Sequence, residues 1–104
     1  MGSTKKEQYQ PYQLRYAQLS DAMGHPARIA ILEYMNSYFQ ANSLELIHVT
    51  KLSKSTISQH LKELLDSELL FERFDDFSNR HYYYLNPHAG DMMEEVVSRV
   101  FKRN

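Results

Sequence analysis

The chain contains no cysteine, which removes disulfides, thiolate metal ligands and cysteine nucleophiles in one step. A reducing compartment fits that composition. Glycine and proline are also scarce, with three of each, so short turns rather than linkers or repeats organise the 104 residues. No apolar run approaches the roughly 18 residues of a membrane span, and no charged-then-apolar leader opens the sequence. A cytoplasmic protein with no membrane partner is therefore expected. Lys6 stands where a myristoylation signal needs serine or threonine. Neither charge dominates: 12 Lys and Arg against 13 Asp and Glu leave a net charge of −1. Any nucleic-acid surface must then be patterned locally.

What is present suits one domain, expected as a flexible tail over 1–10 followed by a folded unit over 11–104. Tyr12, Tyr16, Leu19 and Met23 recur at helical spacing and predict a first helix from about Pro11 to Met23, ended by Gly24. Pro26 suits the first turn of a second helix, which reaches about Tyr38 with Ile31, Leu32, Met35 and Phe39 as its buried stripe. Asn42 and Glu45 form a capping-box pattern for a short third helix over 43–50, with Leu46 and Val49 inward and Leu52 behind them. Ser53 is placed to cap a fourth helix over 54–66, whose apolar face is Ile57, Leu61, Leu64 and Leu65.

Beyond it the period becomes extended. Leu69 to Phe74 and Arg80 to Leu85 flank the polar turn 75–79 and predict a β-hairpin, stopped by Asn86-Pro87. A last helix follows from about Gly90 to Lys102, with Met93, Val96, Val97, Val100 and Phe101 along one side. The expected fold class is mainly α with a small β-hairpin, in the order α-α-α-α-β-β-α. That order, with a short helix and a tight turn before the fourth helix, describes a winged helix-turn-helix.

The fourth helix is the most informative segment. At 100° per residue, Ile57, Leu61 and Leu64 take one side and Ser55, Gln59 and Lys62 the other, with Thr56 at the edge. Short hydrogen-bonding side chains suit the major groove, where glutamine pairs with adenine edges. Glu63 and Asp66 lie toward the helix's C-terminal end, away from the bases that its N-terminal residues face. Lys51 and Lys54 flank the positive end of the helix dipole, as a phosphate clamp would. The expected DNA-binding set is Lys51, Ser53, Lys54, Ser55, Thr56, Ser58, Gln59, Lys62, Arg73 and Arg80. An isolated helix with this face is more often simply solvated; the preceding turn and the following hairpin favour the DNA reading.

Residues from about Leu19 to Leu85 resemble the ArsR/SmtB family of bacterial winged-helix repressors. The resemblance rests on three runs: residues 22–32 around His25-Pro26-Ala27-Arg28, the run Leu52 to Lys62, and Asn79 to Leu85 in the wing. It implies a homodimer formed by the first and last helices, with Tyr12, Tyr16, Leu19, Met93, Val96, Val97, Val100 and Phe101 at the interface. It also implies a recognition helix over 53–66, a wing over 71–85, and pseudo-palindromic operators repressed until an inducer, a small molecule or a protein, acts. Two departures matter. Lys51 replaces the family's usual glycine and is expected at positive φ. Asp75 and Asp76 at the wing tip would face phosphates unfavourably, so Arg73 and Arg80 at the strand ends are expected to make any wing contact while the tip points away.

The family's metal sites do not carry over. Glu45-Leu46-Ile47-His48-Val49 has aliphatic residues at both positions of the cysteine pattern, and Asp91 is followed by Met93 where the last-helix pattern needs histidine. His88, Asp91, Glu94 and Glu95 offer another cluster at helical spacing, although acidic residues opening a helix already stabilise its dipole. No cofactor is expected. His60 flanks the apolar face of the fourth helix and reads as packed or phosphate-bound; His25 reads as a helix-start residue. No phosphate loop, nucleophile elbow or zincin pattern occurs, so no enzyme is expected. Tyr9, Tyr12 and Tyr16 could line a cavity at a dimer seam, but aromatics are common at interfaces without ligands.

Three functions are compatible with these residues: a dimeric regulator reading double-stranded DNA, a winged-helix module binding another protein, and a metal-responsive regulator with a non-standard site. The absence of net positive charge and the acidic wing tip speak for the second, the polar face of the fourth helix for the first.

Overall fold

The structure is a computed structural model that describes residues 6–102. The stretch Met1 to Lys5 of the expected tail lies outside the described residues; within the remainder, Lys6–Gln8 forms a single 3-10 turn. Five helices and one hairpin follow: α1 (Pro11–Ala22), α2 (Pro26–Ser37), α3 (Ser43–Thr50), α4 (Lys54–Asp66), β1 (Leu70–Asp75), β2 (Arg80–Leu85) and α5 (Ala89–Phe101). This is the anticipated order.

Local chemistry explains the boundaries. His25 precedes α2 with extended backbone, and its Nδ1 accepts the Ala27 amide hydrogen at 3.1 Å. Asn42 and Glu45 close a reciprocal box, with Glu45 N–H donating to Asn42 Oδ1 at 2.9 Å and Asn42 N–H to Glu45 Oε1 at 3.2 Å. Lys51 ends α3 in the left-handed region, at φ 60° and ψ 25°, the conformation anticipated from the missing glycine. Leu52 and Ser53 complete the turn into α4.

The core lies where α2, α3, α4 and the foot of the hairpin meet. Ile31, Leu46, Ile57, Leu64, Leu69 and Leu70 are fully buried there. At roughly 1.5 to 3 kcal/mol for each large aliphatic side chain removed from water, this cluster is what holds α3 and α4 at a fixed angle. Below it, the buried Asn86 joins the hairpin to α5: its Nδ2 donates to the Glu68 carbonyl at 2.8 Å and its Oδ1 accepts from His88 N–H at 2.9 Å.

Several expectations need correction. Phe39 is not in the stripe of α2 but 85% exposed; the helix stops at Ser37 and Tyr38 is extended, so helical spacing no longer governs position 39. Val49 is exposed rather than inward. The inner face of α3 runs instead through Leu46, Ile47 and the half-buried Thr50, whose hydroxyl donates to the Leu46 carbonyl at 2.8 Å. Asp75 belongs to β1, paired with Arg80, so the wing turn has four residues, 76–79, not five. An isolated bridge between Ala41 and Tyr83 adds a strand fragment to the hairpin; a single residue carries no periodicity that could announce it.

Candidate nucleic-acid interface

Helix α4 is amphipathic in the way its sequence requires. Ile57, Leu61 and Leu64 are buried against the core, while Ser55, Thr56, Ser58, Gln59 and Lys62 are exposed. Lys51, Ser53 and Lys54 before and at its start are exposed too, as are Arg73 and Arg80 in the hairpin. All ten side chains named from the sequence therefore reach solvent.

They do not form one group. At the start of α4, Ser53 Oγ accepts from the Thr56 amide at 3.2 Å and donates to Thr56 Oγ1 at 2.9 Å, with Ser55 Oγ 3.3 Å away. This hydroxyl array stands between Lys51 and Lys54 at the positive end of the helix, a suitable seat for a phosphate oxygen. Ser58 and Gln59 follow one turn on, unencumbered by any hydrogen bond from another described side chain. Lys62, a further turn on, is paired with Asp66 at 2.8 Å. That hydrogen bond and the adjacent charge hold its ammonium above the usual lysine range, so its charge is already partly answered.

In the hairpin, Arg73 lies within β1 opposite Tyr82 rather than at a strand end. Its Nη2 donates to Gln40 Oε1 at 2.6 Å and its guanidinium lies 5.6 Å from the Tyr82 ring centroid. Arg80, at the start of β2, takes part in none of the ion pairs among the described residues. Asp75 shapes the turn, accepting from Phe77 N–H at 3.1 Å and from the Ser78 hydroxyl at 2.7 Å. The Ser78 bond, followed by the Phe77 amide, keeps its carboxyl below the usual range. Phe77 at the tip is fully exposed.

Sequence reasoning gave no role to Arg28. Its Nε donates to His60 Nδ1 at 3.1 Å, and His60, only 6% exposed, lies on the buried side of α4 with Ile57, Leu61 and Leu64. The signal was the position of His60 beside Leu61 and Leu64; the identity of its partner was not readable.

Toward the other end of the molecule, Tyr16 donates to Glu95 Oε2 at 2.7 Å and Arg99 stacks 4.0 Å above the Tyr12 ring centroid. These contacts tie α1 to α5. Within the single chain Tyr9 lines a groove with Gln13, Leu14 and Ala17. Among the described residues no three His, Asp or Glu side chains converge as a metal site. His88, Asp91, Glu94 and Glu95 are thus not brought together, and Glu95 already serves Tyr16.

A three-residue turn holding an exposed polar helix against a second helix, with a hairpin beside it, defines a winged helix-turn-helix protein. Residues 25–70, from the residue before α2 to the start of β1, match the family model described as "Bacterial regulatory protein, arsR family". Similar solved structures include HlyU from Vibrio cholerae N16961, 23% identical over 90% of this chain and 100% of that one, with a TM-score of 0.69. NolR from Sinorhizobium fredii is 24% identical over 97% of each chain, with a TM-score of 0.70. The transcriptional repressor PagR of Bacillus anthracis is 26% identical over 82% of this chain and 95% of its own, with a TM-score of 0.67. No curated protein sequence matches the chain.

Proposed function

We propose that this protein is a transcriptional repressor that binds a pseudo-palindromic operator as a homodimer, with α4 in the major groove. The observation that carries the reading is the exposed row Ser55, Ser58 and Gln59 on a helix whose opposite side is buried. Gln59 reads a base edge; Lys51, Lys54 and the Ser53 array take phosphates; Lys62 contributes less because Asp66 holds it. On the wing Arg80 is the better placed phosphate contact, Arg73 being engaged by Gln40. PagR, described as a repressor, supports that direction of control, with release by an inducer still to be identified.

Dimerisation is supported by the shape of the single chain. Its radius of gyration is 15.6 Å, against about 13 Å for a compact domain of this length. Val97, Val100 and Phe101 lie exposed along one side of α5, an apolar stripe of the sort that a twin covers. Tyr16, Leu19 and Val96 are already buried within the chain, so they brace α1 and α5 from inside. The face left for a partner is Tyr12, Val97, Val100 and Phe101, with Met93 at its half-buried margin.

Selection from a randomised duplex library, followed by anisotropy titration of the recovered sequence at low and moderate salt, tests the proposal. Enrichment of a two-fold related sequence is expected. Failure to retain any duplex at low salt would favour a protein-binding module, for which the exposed Phe77 and the net charge of −1 are the supporting features.

A further inference from the structure

His60 is a buried titratable group on the helix assigned to the groove, and base reading does not use it. Its Nδ1 accepts the Arg28 Nε hydrogen at 3.1 Å. A ring nitrogen that accepts carries no proton, so the imidazole is neutral with its hydrogen on Nε2. The same guanidinium, through Nη1, donates to the carbonyls of Asp21 and Ala22 at 3.3 and 3.4 Å, at the C-terminal end of α1. The His25 ring packs against His60 with centroids 4.5 Å apart, its own Nδ1 occupied by the Ala27 amide. One side chain thus joins the end of α1, the first turn of α2 and the middle of α4.

We propose that Arg28 and His60 form a proton-sensitive clamp on the recognition helix: neutral His60 holds α4 in its DNA-reading pose, and protonated His60 releases it. The proposal rests on the DNA-reading role of α4. Arg28 and His60 are positioning residues in it, acting on DNA through Ser55, Ser58 and Gln59.

Protonation turns Nδ1 from acceptor to donor, so two N–H groups would face each other across the former hydrogen bond and two cations would meet where the His60 ring itself is buried. Every charged group that shifts His60 is basic: His25 from the residue before α2 and Arg28 from α2. From α1 the Asp21 and Ala22 carbonyls meet Arg28, and no α1 charge is among the groups that shift His60. Burial first, then His25 and Arg28, hold the imidazole below its usual value of 6.5. With the clamped-state value depressed, the unfolded or released chain binds the proton more readily. The clamp is therefore fully engaged above about pH 6.5 and is progressively lost as pH falls below that toward the depressed value. A single linked proton limits the loss of affinity to about tenfold per pH unit.

The test uses the duplex recovered by selection, fluorescein-labelled and titrated with the full chain from about pH 8 to about pH 5. His60→Asn keeps an acceptor near the place of Nδ1 but cannot titrate. Wild type is expected to lose roughly tenfold or more in affinity over that range, whereas His60→Asn matches wild type at the alkaline end and holds its affinity at the acid end beyond the change common to both. Arg28→Met, which removes the donor, is expected to bind more weakly at the alkaline end and to show a flatter profile. A His60→Asn profile as steep as wild type overturns the clamp while leaving DNA reading intact. If that variant does not fold, imidazole nitrogen NMR of the wild-type chain decides: an Nε2–H tautomer titrating at the midpoint of DNA release is expected, and an Nδ1–H tautomer or a separate midpoint overturns it. Loss of binding by wild type at every pH would remove both readings together.

Discussion

Lys51 combines a charge that a DNA-binding turn can use with a backbone conformation that a side chain resists. Its φ of 60° costs an L-residue about 1 to 2 kcal/mol relative to glycine, and glycine gives back part of that through its freer unfolded chain. Lys51→Gly is therefore expected to stabilise the fold by about 0.5 to 1 kcal/mol, a rise of a few degrees in Tm. It should also weaken binding to every duplex and reduce the salt slope by about one phosphate contact. A thermal melt and a salt titration check the two halves; a lower Tm would show that the turn needs the side chain. Gln59→Ala is expected to relax preference at one base pair, by about 1 to 3 kcal/mol of discrimination. Lys54→Ala should weaken all sequences alike, and equal loss on every sequence for Gln59→Ala would count against base reading.

A helix reads DNA only as well as it is held, and α4 is held at its start and along its inner face. Ser53→Ala removes the acceptor for Thr56 N–H and the centre of the hydroxyl array, at a cost of about 1 kcal/mol. Leu64→Ala in the fully buried row should cost about 2 to 5 kcal/mol, measured by urea unfolding; a cost below about 1 kcal/mol would mean the core is not where the burial places it. The boundaries of these helices were legible because their signals are local: Pro26 in a first turn, Asn42 with Glu45, Ser53 before an amphipathic run. The face of α4 was legible for the same reason. Contacts that stayed hidden depend on distant partners. Arg28 meets His60 32 positions away and Arg73 meets Gln40 33 positions away, and no period in the chain encodes such pairs. Phe39 and Val49 depart from their expected places because helical spacing does not extend past the end of α2 and because the short α3 turns position 49 to solvent.

At the scale of the whole molecule, the proposed dimer draws on the extended shape of the single chain and on the exposed apolar stripe of α5. Replacing Val97 and Val100 with glutamate is expected to yield a folded monomer by sedimentation, since both side chains are exposed in the single chain. Its affinity for a two-fold related duplex should fall by more than about a hundredfold, because one reading helix replaces two. A variant that stays dimeric would place the interface elsewhere. Two reading helices joined by a dyad must reach successive turns of one face of the duplex, with centres about 34 to 36 Å apart. Hydroxyl-radical footprinting of the selected duplex measures that separation directly. The account predicts two protected segments, symmetric about the dyad and about 10 base pairs apart centre to centre; a single protected segment, or two whose spacing fits no whole number of turns, would contradict it.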